Sequence, residues 1–255
     1  MQITKATTED MPQVVELLKI ILDEMELPFY LKNDPQEVTK LFVATFQSPL
    51  YQEAADVVVA KMDNQVAGVA FGYPGANEEK LKDEFQNHFA QVALAPQPIY
   101  EEAEADDDEW YLDSLVVNPD FQNHGIGTKL LNALPEYAKA RDLKMVGLLV
   151  DDLNPDAERL YRRIGFQLDH RQIVSGHHYQ HLKKKFNLLK FSLKYPKQKI
   201  AMDYSPRWRE LSTAIFYYSL INKRRPFNGS STRVQFPVVG HVSSKFLVYR
   251  IRAFL

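Results

Sequence analysis

The spacing of apolar residues in the first part of the chain alternates between helical and strand periods. Five apolar positions recur every three or four residues and predict a first helix: Val14, Leu17, Leu18, Ile21 and Leu22. Thr8 is the expected N-cap of that helix, and Pro35 is expected to open a second helix. β-rich runs predict strands over three ranges: 2–6, 56–62 and 65–73. Asp63 and Asn64 predict a tight turn that joins the last two strands as a hairpin.

The pattern after residue 109 predicts further strands separated by helices. Strands are expected over four ranges: 110–117, 145–150, 166–174 and 177–182. A helix should begin at Gly125, and a shorter one should cover residues 156–164. Pro135 lies inside the first of these helices and should bend it, because proline cannot donate a backbone hydrogen bond. This alternation of strands and helices predicts an α/β fold.

Residues 75–108 interrupt this rhythm. The range 77–94 has helical character, but the stretch 101–109 is dominated by Glu and Asp. A run this acidic is expected to be too charged for burial and to form a solvated, inserted loop. A role in attracting a cationic substrate is the alternative.

Composition limits the class of protein and its setting. The chain has 255 residues, of which 45% are hydrophobic, and no apolar run approaches the roughly 20 residues of a membrane-spanning helix. The first residues lack the basic and apolar regions of a secretion signal. Cysteine is absent, which excludes disulfides and thiolate chemistry. We therefore expect a cytoplasmic protein without a membrane partner.

Charge divides the chain into two regions. Residues 182–255 hold 16 Lys and Arg against 2 Asp and Glu, whereas residues 1–181 hold 15 against 31. We therefore expect two units, 1–182 and 183–255. The basic extension is compatible with nucleic-acid binding, with docking on the acidic unit, or with a poorly structured extension translated past a natural end near Leu182. No nucleic-acid motif is recognisable in it, which favours the last interpretation.

A glycine-rich loop between a predicted strand and a predicted helix is the main candidate binding site. Gly125 and Gly127 allow the backbone to approach a ligand closely. The first N–H groups of the following helix are unpaired and lie at the positive end of its dipole, so an anion the size of pyrophosphate fits there. Gln122, His124 and Thr128 add side-chain donors. Taken alone, the loop is also compatible with a turn that binds nothing.

Two segments resemble motifs of one family. The strand ending in Val117-Asn118-Pro119, the loop Gln122-Asn123-His124-Gly125-Ile126-Gly127 and the leucine-rich helix that follows resemble the cofactor motif of the GNAT superfamily of N-acetyltransferases. Residues 154–166 resemble the N-x-x-A-x-x-x-Y-x-x-x-G-F segment of the same family. The resemblance covers about residues 1–182. It implies a GNAT-like mixed central β-sheet flanked by helices, with acetyl-CoA as co-substrate.

The resemblance also implies roles for individual residues. The strand backbone at Leu115, Val116 and Val117 would pair with the pantetheine arm of acetyl-CoA, and Asn154 would lie beside that arm. Backbone amides along the loop would hold the pyrophosphate: Gln122, Asn123, His124, Gly125, Ile126, Gly127 and Thr128. Tyr161 would place its hydroxyl near the thioester sulfur.

Acetyl transfer to an amine requires a base, an acid and a donor for the oxyanion. Asp113 and Glu109 are the candidate bases, because they lie four residues apart on one face of a strand, but a structural role fits each equally well. Tyr161 is the candidate acid that protonates the departing thiolate. The backbone N–H of Val116 is the candidate oxyanion donor. The acceptor implied is a primary amine of a small molecule or a peptide.

Two other functions remain open, namely an acyl-CoA sensor without catalysis and nucleic-acid binding by the basic extension. A homodimer is compatible with the sequence. His177, His178 and His181 do not predict a metal site, because their spacing is poor for a strand and no carboxylate or cysteine completes a set. No metal is therefore expected.

Overall fold

A computed structural model describes residues 1–24, 33–92, 94, 102–174 and 176–186. In this described part, seven strands form one sheet in the order β1-β2-β3-β4-β5-β7-β6. The strands are β1 (Gln2–Lys5), β2 (Asp56–Met62), β3 (Gln65–Pro74), β4 (Trp110–Val117), β5 (Met145–Asp151), β6 (Gln167–Val174) and β7 (His177–Lys185). β4 and β5 are parallel and all other neighbours are antiparallel. The predicted α/β fold with a mixed sheet is confirmed.

Six α-helices accompany the sheet within the described ranges. They are α1 (Met11–Glu24), α2 (Pro35–Gln47), α3 (Pro49–Ala54), α4 (Glu78–His88), α5 (Ile126–Ala140) and α6 (Pro155–Ile164). The N-cap before α1 is Thr7 rather than Thr8, because the Asp10 carboxylate accepts from the Thr7 N–H at 2.8 Å and closes a short 3₁₀ turn first. α5 continues past Pro135. None of the described helices combines the length and the apolar character needed to cross a bilayer.

Two apolar clusters pack on opposite faces of the sheet. The α1 face carries the cluster of α1 and α2, including Val14, Val38 and Tyr111. The α5 face carries the cluster of α5 and α6, including Leu130 and Leu160. Strand residues alternate between the two faces, so the sheet is buried on both sides.

Gly68 on β3 sets the position of α5. A Cβ at Gly68 would lie 2.9 Å from Cγ2 of Ile126 and 3.1 Å from Cδ1 of Leu130. The first turn of α5 therefore rests directly on the backbone of β3, where a larger side chain would push it away. This contact fixes the start of α5 beside the end of β4.

The ends of the predicted strands agree with the structure to within one residue except at β7. Asp63 and Asn64 form the tight β2–β3 turn with φ of 49° and 65°. β7, however, extends to Lys185, and the Phe186 N–H donates to the Lys144 carbonyl at 3.2 Å. The boundary expected after Leu182 thus falls inside a strand. The remainder of the basic extension, residues 187–255, lies outside the described residues.

The acidic stretch is only partly the solvated loop expected from its charge, since Glu102, Asp107 and Asp108 are exposed but two other carboxylates are buried. Glu101 lies outside the described residues, but Glu104 is 9% exposed and Glu109 is fully buried. Lys183 forms ion pairs with Asp106 at 2.6 Å and with Asp108 at 3.4 Å. Lys183 and His181 of β7 lie beside Glu109, and the Tyr111 hydroxyl donates to Glu104 at 2.8 Å, which makes the burial of these two carboxylates possible.

Candidate functional site

The two parallel strands at the centre of the sheet separate towards their C-terminal ends. β4 and β5 are paired over residues 110–112 and 146–148. Beyond Leu112, β4 pairs with β3 on one side, and no described strand pairs with its other side. β5 continues along β7 over the same stretch. The two strands therefore leave a gap between them beyond Leu112 and Leu148.

A β-bulge at Asp113 decides which backbone groups face this gap. The Asn118 N–H donates to the Ala67 carbonyl at 3.0 Å, and the pairs beyond the bulge continue that register. Because backbone groups in an antiparallel pair alternate in direction, the N–H of Val116 points towards β3. Those of Leu115 and Val117 point towards the gap. The expectation that Val116 donates to an oxyanion is therefore wrong, because its N–H belongs to the β3–β4 ladder.

The loop after β4 leads directly into the N-terminus of α5. Asn123 and Gly125 have positive φ of 63° and 69°, and Gly125 is the N-cap of α5. The first helical hydrogen bond runs from the Lys129 N–H to the Gly125 carbonyl at 3.1 Å. The N–H groups of Ile126, Gly127 and Thr128 precede it and have no acceptor within the helix. A Cβ on Gly125 would meet no atom within 4 Å, so the space beside the loop is open.

The side chains of the loop differ in exposure. Gln122 and Thr128 are half-buried, whereas Asn123 and His124 are exposed. His124 Nδ1 lies 2.7 Å from the Gln122 carbonyl oxygen. A carbonyl only accepts, so Nδ1 must carry the proton and donate. The imidazole is thus held against the loop rather than directed away from it.

The second motif, residues 154–166, forms helix α6 together with its two caps. The Asn154 side chain caps the helix by accepting from the Ala157 N–H at 3.1 Å. Gly165 ends the helix with φ of 105°, and its N–H and that of Phe166 donate to the Tyr161 carbonyl at 3.1 Å and 3.0 Å. The motif therefore encodes a short, rigid helix with a cap at each end.

Tyr161 is fully buried on the α5 face. It belongs to the same apolar cluster as Leu115 and Val117, and its ring packs against Phe166 at 5.8 Å. Its hydroxyl has no hydrogen-bond partner among the described residues. Burial raises the pKa of Tyr161 above its ordinary value, so the hydroxyl keeps its proton at neutral pH. A buried hydroxyl without a partner is rare and points to a group that would complete it.

Asp113 lies on the opposite, α1 face at the point where the gap begins. Its Oδ1 accepts from the Ser114 hydroxyl at 2.6 Å, and the Tyr73 hydroxyl lies 3.5 Å from Oδ2. Burial raises the pKa of Asp113 to about 6. A carboxyl group with that pKa can accept and release a proton near neutral pH.

Glu104 is a further buried carboxyl group that the sequence pattern did not reveal. Its Oε2 accepts from the Tyr111 hydroxyl at 2.8 Å, and burial raises its pKa to about 8. Glu104 stands in an irregular acidic run, so no periodicity distinguishes it from its exposed neighbours. Tyr111, which donates to Glu104, packs on Tyr73 with 5.6 Å between ring centroids, and the Tyr73 hydroxyl lies beside Asp113, so both carboxyl groups are in one region of the α1 face.

Glu109 is on the same face as Asp113, as expected, but it lies over the paired part of β4 and β5. Its Oε1 lies 2.8 Å from His181 Nε2, and both side chains are fully buried. A Cβ on Gly147 would lie 1.8 Å from Glu109 Oε2, so only glycine leaves room for this carboxylate. The structure therefore brings Asp113 to the gap and joins Glu109 to β7.

The three histidines of β7 that the sequence analysis weighed as metal ligands do not point to one place. Side chains alternate along β7, which places His178 on the opposite face from His177 and His181. His178 is exposed, whereas His181 is fully buried. These three side chains cannot share one ligand.

Comparison with known proteins agrees with this architecture. Residues 18–166 match the acetyltransferase (GNAT) family. A solved structure described as an acetyltransferase is 35% identical with a TM-score of 0.66, over 73% of this chain and 100% of that one. An N-acetyltransferase from Staphylococcus aureus Mu50 is 27% identical with a TM-score of 0.60, over 72% of this chain and 100% of that one.

A curated relative matches a shorter segment. An uncharacterized N-acetyltransferase of Methanocaldococcus jannaschii is 42% identical over 62 residues, which are 24% of this chain and 26% of that protein. The match thus spans about a quarter of that relative's length. The family match covers more than half of the chain and includes the loop, β4 and α6. The chain belongs to the GNAT family of acetyltransferases, enzymes that use acetyl-CoA as the acetyl donor.

Proposed function

We propose that the protein is an N-acetyltransferase that moves an acetyl group from acetyl-CoA to a primary amine of a small molecule or a peptide by direct attack. The observation that carries this proposal is the gap between β4 and β5, which has different chemistry on its two sides. The α5 face offers unpaired backbone N–H groups and the Tyr161 hydroxyl. The α1 face offers Asp113.

The residues on the α5 face fit acetyl-CoA. The free edge of β4 at Leu115 and Val117 can accept an extended pantetheine arm as it would accept another strand. The N–H groups from Asn123 to Thr128 can bind the pyrophosphate at the start of α5, whereas the Gln122 N–H donates to the Pro119 carbonyl at 3.4 Å. The partnerless hydroxyl of Tyr161 would gain a partner from a ligand in the gap.

Each proposed catalytic residue has a separate task. Acetyl-CoA supplies the thioester whose carbonyl carbon is attacked. Asp113 takes a proton from the attacking ammonium group, directly or through a water molecule. The N–H of Leu115 or Val117 donates to the carbonyl oxygen as it becomes negative. Tyr161 donates its proton to the leaving sulfur.

The α1 face favours a cationic acceptor. Asp113, with a pKa of about 6, is ionised at neutral pH, and its negative charge attracts an ammonium group, whereas Glu104, with a pKa of about 8, still holds its proton. The amine would therefore reach the gap from the side opposite to acetyl-CoA. Glu109, engaged with His181, is the weaker candidate for the base.

Calorimetric titration with acetyl-CoA tests the proposed binding site. We expect micromolar binding by the wild-type protein and loss of binding in Gly125→Val, because the branched side chain would fill the space beside the loop. Gly176→Val is the matched control, since Gly176 also has a positive φ, of 85°, and an open space around its Cβ. Normal binding by folded Gly125→Val would refute this placement of the pyrophosphate.

Release of free thiol from acetyl-CoA in the presence of primary amines tests catalysis. We expect amine-dependent release of CoA by the wild-type protein. A protein that binds acetyl-CoA but releases no thiol with any amine of a broad panel would instead be an acyl-CoA sensor.

A further inference from the structure

Two histidines face each other on the α1 face, away from the gap. The register between β6 and β7 shifts between Leu168 and His170, which leaves Asp169 as the bulged residue and sets His170 opposite His181. The centroids of the two imidazole rings are 4.6 Å apart. Asp106, from the acidic loop 102–109, joins them. One ligand atom from each of these three residues lies within 4.8 Å of the other two.

In His181 one ring nitrogen has no partner among the described residues, whereas in His170 both nitrogens are engaged and one becomes available only if Gln172 moves away. His181 Nε2 is engaged with Glu109, and His181 Nδ1 is buried without a partner among the described residues. His170 Nδ1 lies 2.9 Å from Asp169 Oδ2, which leaves Nε2, now 3.2 Å from Gln172 Oε1. A carboxylate that accepts from one ring nitrogen orients the other towards a metal ion.

The charge around these residues is unbalanced. Four carboxylates surround the Lys183 ammonium, at 2.6 Å for Asp106, 3.4 Å for Asp108, 3.7 Å for Glu109 and 3.8 Å for Asp169. Glu109 is fully buried, and its Oε2 has no hydrogen-bond partner among the described residues. Histidine binds a metal ion as the neutral imidazole, and in that form His170 and His181 add no positive charge to that of Lys183, so a divalent cation would balance more of these carboxylates.

We propose that Asp106, His170 and His181 bind a divalent transition metal ion of the zinc type, with Glu109 as a positioning residue for His181. Two imidazoles and one carboxylate form a set that zinc and its first-row neighbours accept, with one position left for water. The ion would join the acidic loop to β6 and β7. Binding requires the Lys183 ammonium to leave Asp106 and the Gln172 side chain to turn from His170.

Titration of the chelator-treated full-length protein with Zn²⁺ tests this proposal, with Co²⁺ and its visible absorption as a second probe. His170→Ala is the diagnostic variant, since His170 is half-buried and its loss should not prevent folding. His178→Ala is the matched control, because His178 is exposed on the other face of β7. We expect one Zn²⁺ per chain in the wild type and control, and affinity at least about tenfold weaker in His170→Ala.

Thermal unfolding and acetyl-CoA binding give independent readouts. Zn²⁺ should raise the melting temperature of the wild type and of His178→Ala but not of His170→Ala. Acetyl-CoA affinity should be the same in all three proteins, because the histidines lie away from the gap. Equal Zn²⁺ affinity in the two variants, or no Zn²⁺ binding by the wild type, would overturn the proposal.

Discussion

Two side chains on opposite faces of the sheet carry the proposed proton transfers, the half-buried Asp113 and the fully buried Tyr161. Asp113 and Tyr161 have raised pKa values for the same reason, namely loss of hydration, but the consequences differ. The raised pKa makes Asp113 able to titrate near neutral pH, and it keeps Tyr161 protonated. The second motif indicated Tyr161 directly. Asp113 was one of two carboxylates that strand alternation alone could not separate.

The protonation of Asp113 should control the acid side of the pH–rate profile. With the pKa raised to about 6, kcat/KM should rise with pH and reach half its plateau near pH 6. Asp113→Asn should remove this limb and lower the plateau by about 10²-fold or more. Asp107→Asn, an exposed neighbour in the acidic loop, is the control and should retain the limb.

Asp113 should also make stability depend on pH. Its pKa is higher in the folded protein than the ordinary 3.8, so the folded state binds the proton more tightly than the unfolded chain. The free energy of unfolding should therefore fall as pH rises from about 4 to about 6. Urea denaturation across this range should show a smaller fall in Asp113→Asn. An identical pH dependence in both proteins would contradict the burial of this carboxyl group.

Tyr161→Phe should separate catalysis from packing. Removal of the hydroxyl should lower kcat by about 10²-fold or more, with little change in acetyl-CoA affinity. Stability should stay the same or increase, because the variant removes a buried hydroxyl that has no described partner. Steady-state kinetics, calorimetry and thermal unfolding measure these effects. Parallel losses of turnover and affinity would indicate a packing role.

At the scale of elements, the sequence predicts features that depend on neighbouring residues, such as helix caps, but not features that depend on the register between distant strands. Asn154 and Gly165 cap α6 through contacts within a few residues, so the sequence places that helix to within one residue. The bulge at Asp113 arises from the register between β4 and β3, which are separated by the 35 residues 75–109. No local pattern reveals it. For that reason the sequence analysis predicted the Val116 N–H as the oxyanion donor, whereas the N–H groups of Leu115 and Val117 are the ones that face the gap.

Replacement of Gly165, the C-cap of α6, by a residue with a side chain should destabilise the protein. Gly165 has φ of 105°, so Gly165→Ala should lower the free energy of unfolding by about 1–2 kcal/mol. Gly165→Asn should cost less, because asparagine tolerates positive φ better than alanine. Chemical denaturation of the three proteins measures the difference. Equal stability of the alanine variant and the wild type would show that the helix end adjusts without strain.

At the scale of the whole molecule, charge predicted two regions but misplaced the border between them. The run Lys183-Lys184-Lys185 belongs to β7, where Lys183 compensates the acidic loop. Contacts with Lys183 and His181 explain why Glu109 is buried within a run that looks solvated, and the Tyr111 hydroxyl does the same for Glu104. Both features depend on tertiary contacts, so composition alone could not predict them.

A pair of truncations tests this border. The chain cut after Phe186 should bind acetyl-CoA normally, since a solved relative aligns over its whole length with 73% of this chain. The chain cut after Leu182 should be less stable, because it loses the β7 partners of Met145, Val146 and Gly147. Thermal unfolding and calorimetry compare the two. Loss of acetyl-CoA binding in the longer fragment would assign residues 187–255 a role in the site.

The short pairing between β4 and β5 makes the centre of the sheet its most weakly hydrogen-bonded strand junction. Among the described residues, three pairs join the four strands on one side to the three on the other. A ligand that lies along the open edge of β4 would take the place of a strand between β4 and β5. It would therefore hold the two parts of the sheet together more firmly. Acetyl-CoA should therefore slow amide hydrogen exchange at Leu115 and Val117, with Val116 as the internal reference. An equal gain in protection at all three amides would mean that binding stabilises the whole sheet and not specifically the open edge of β4.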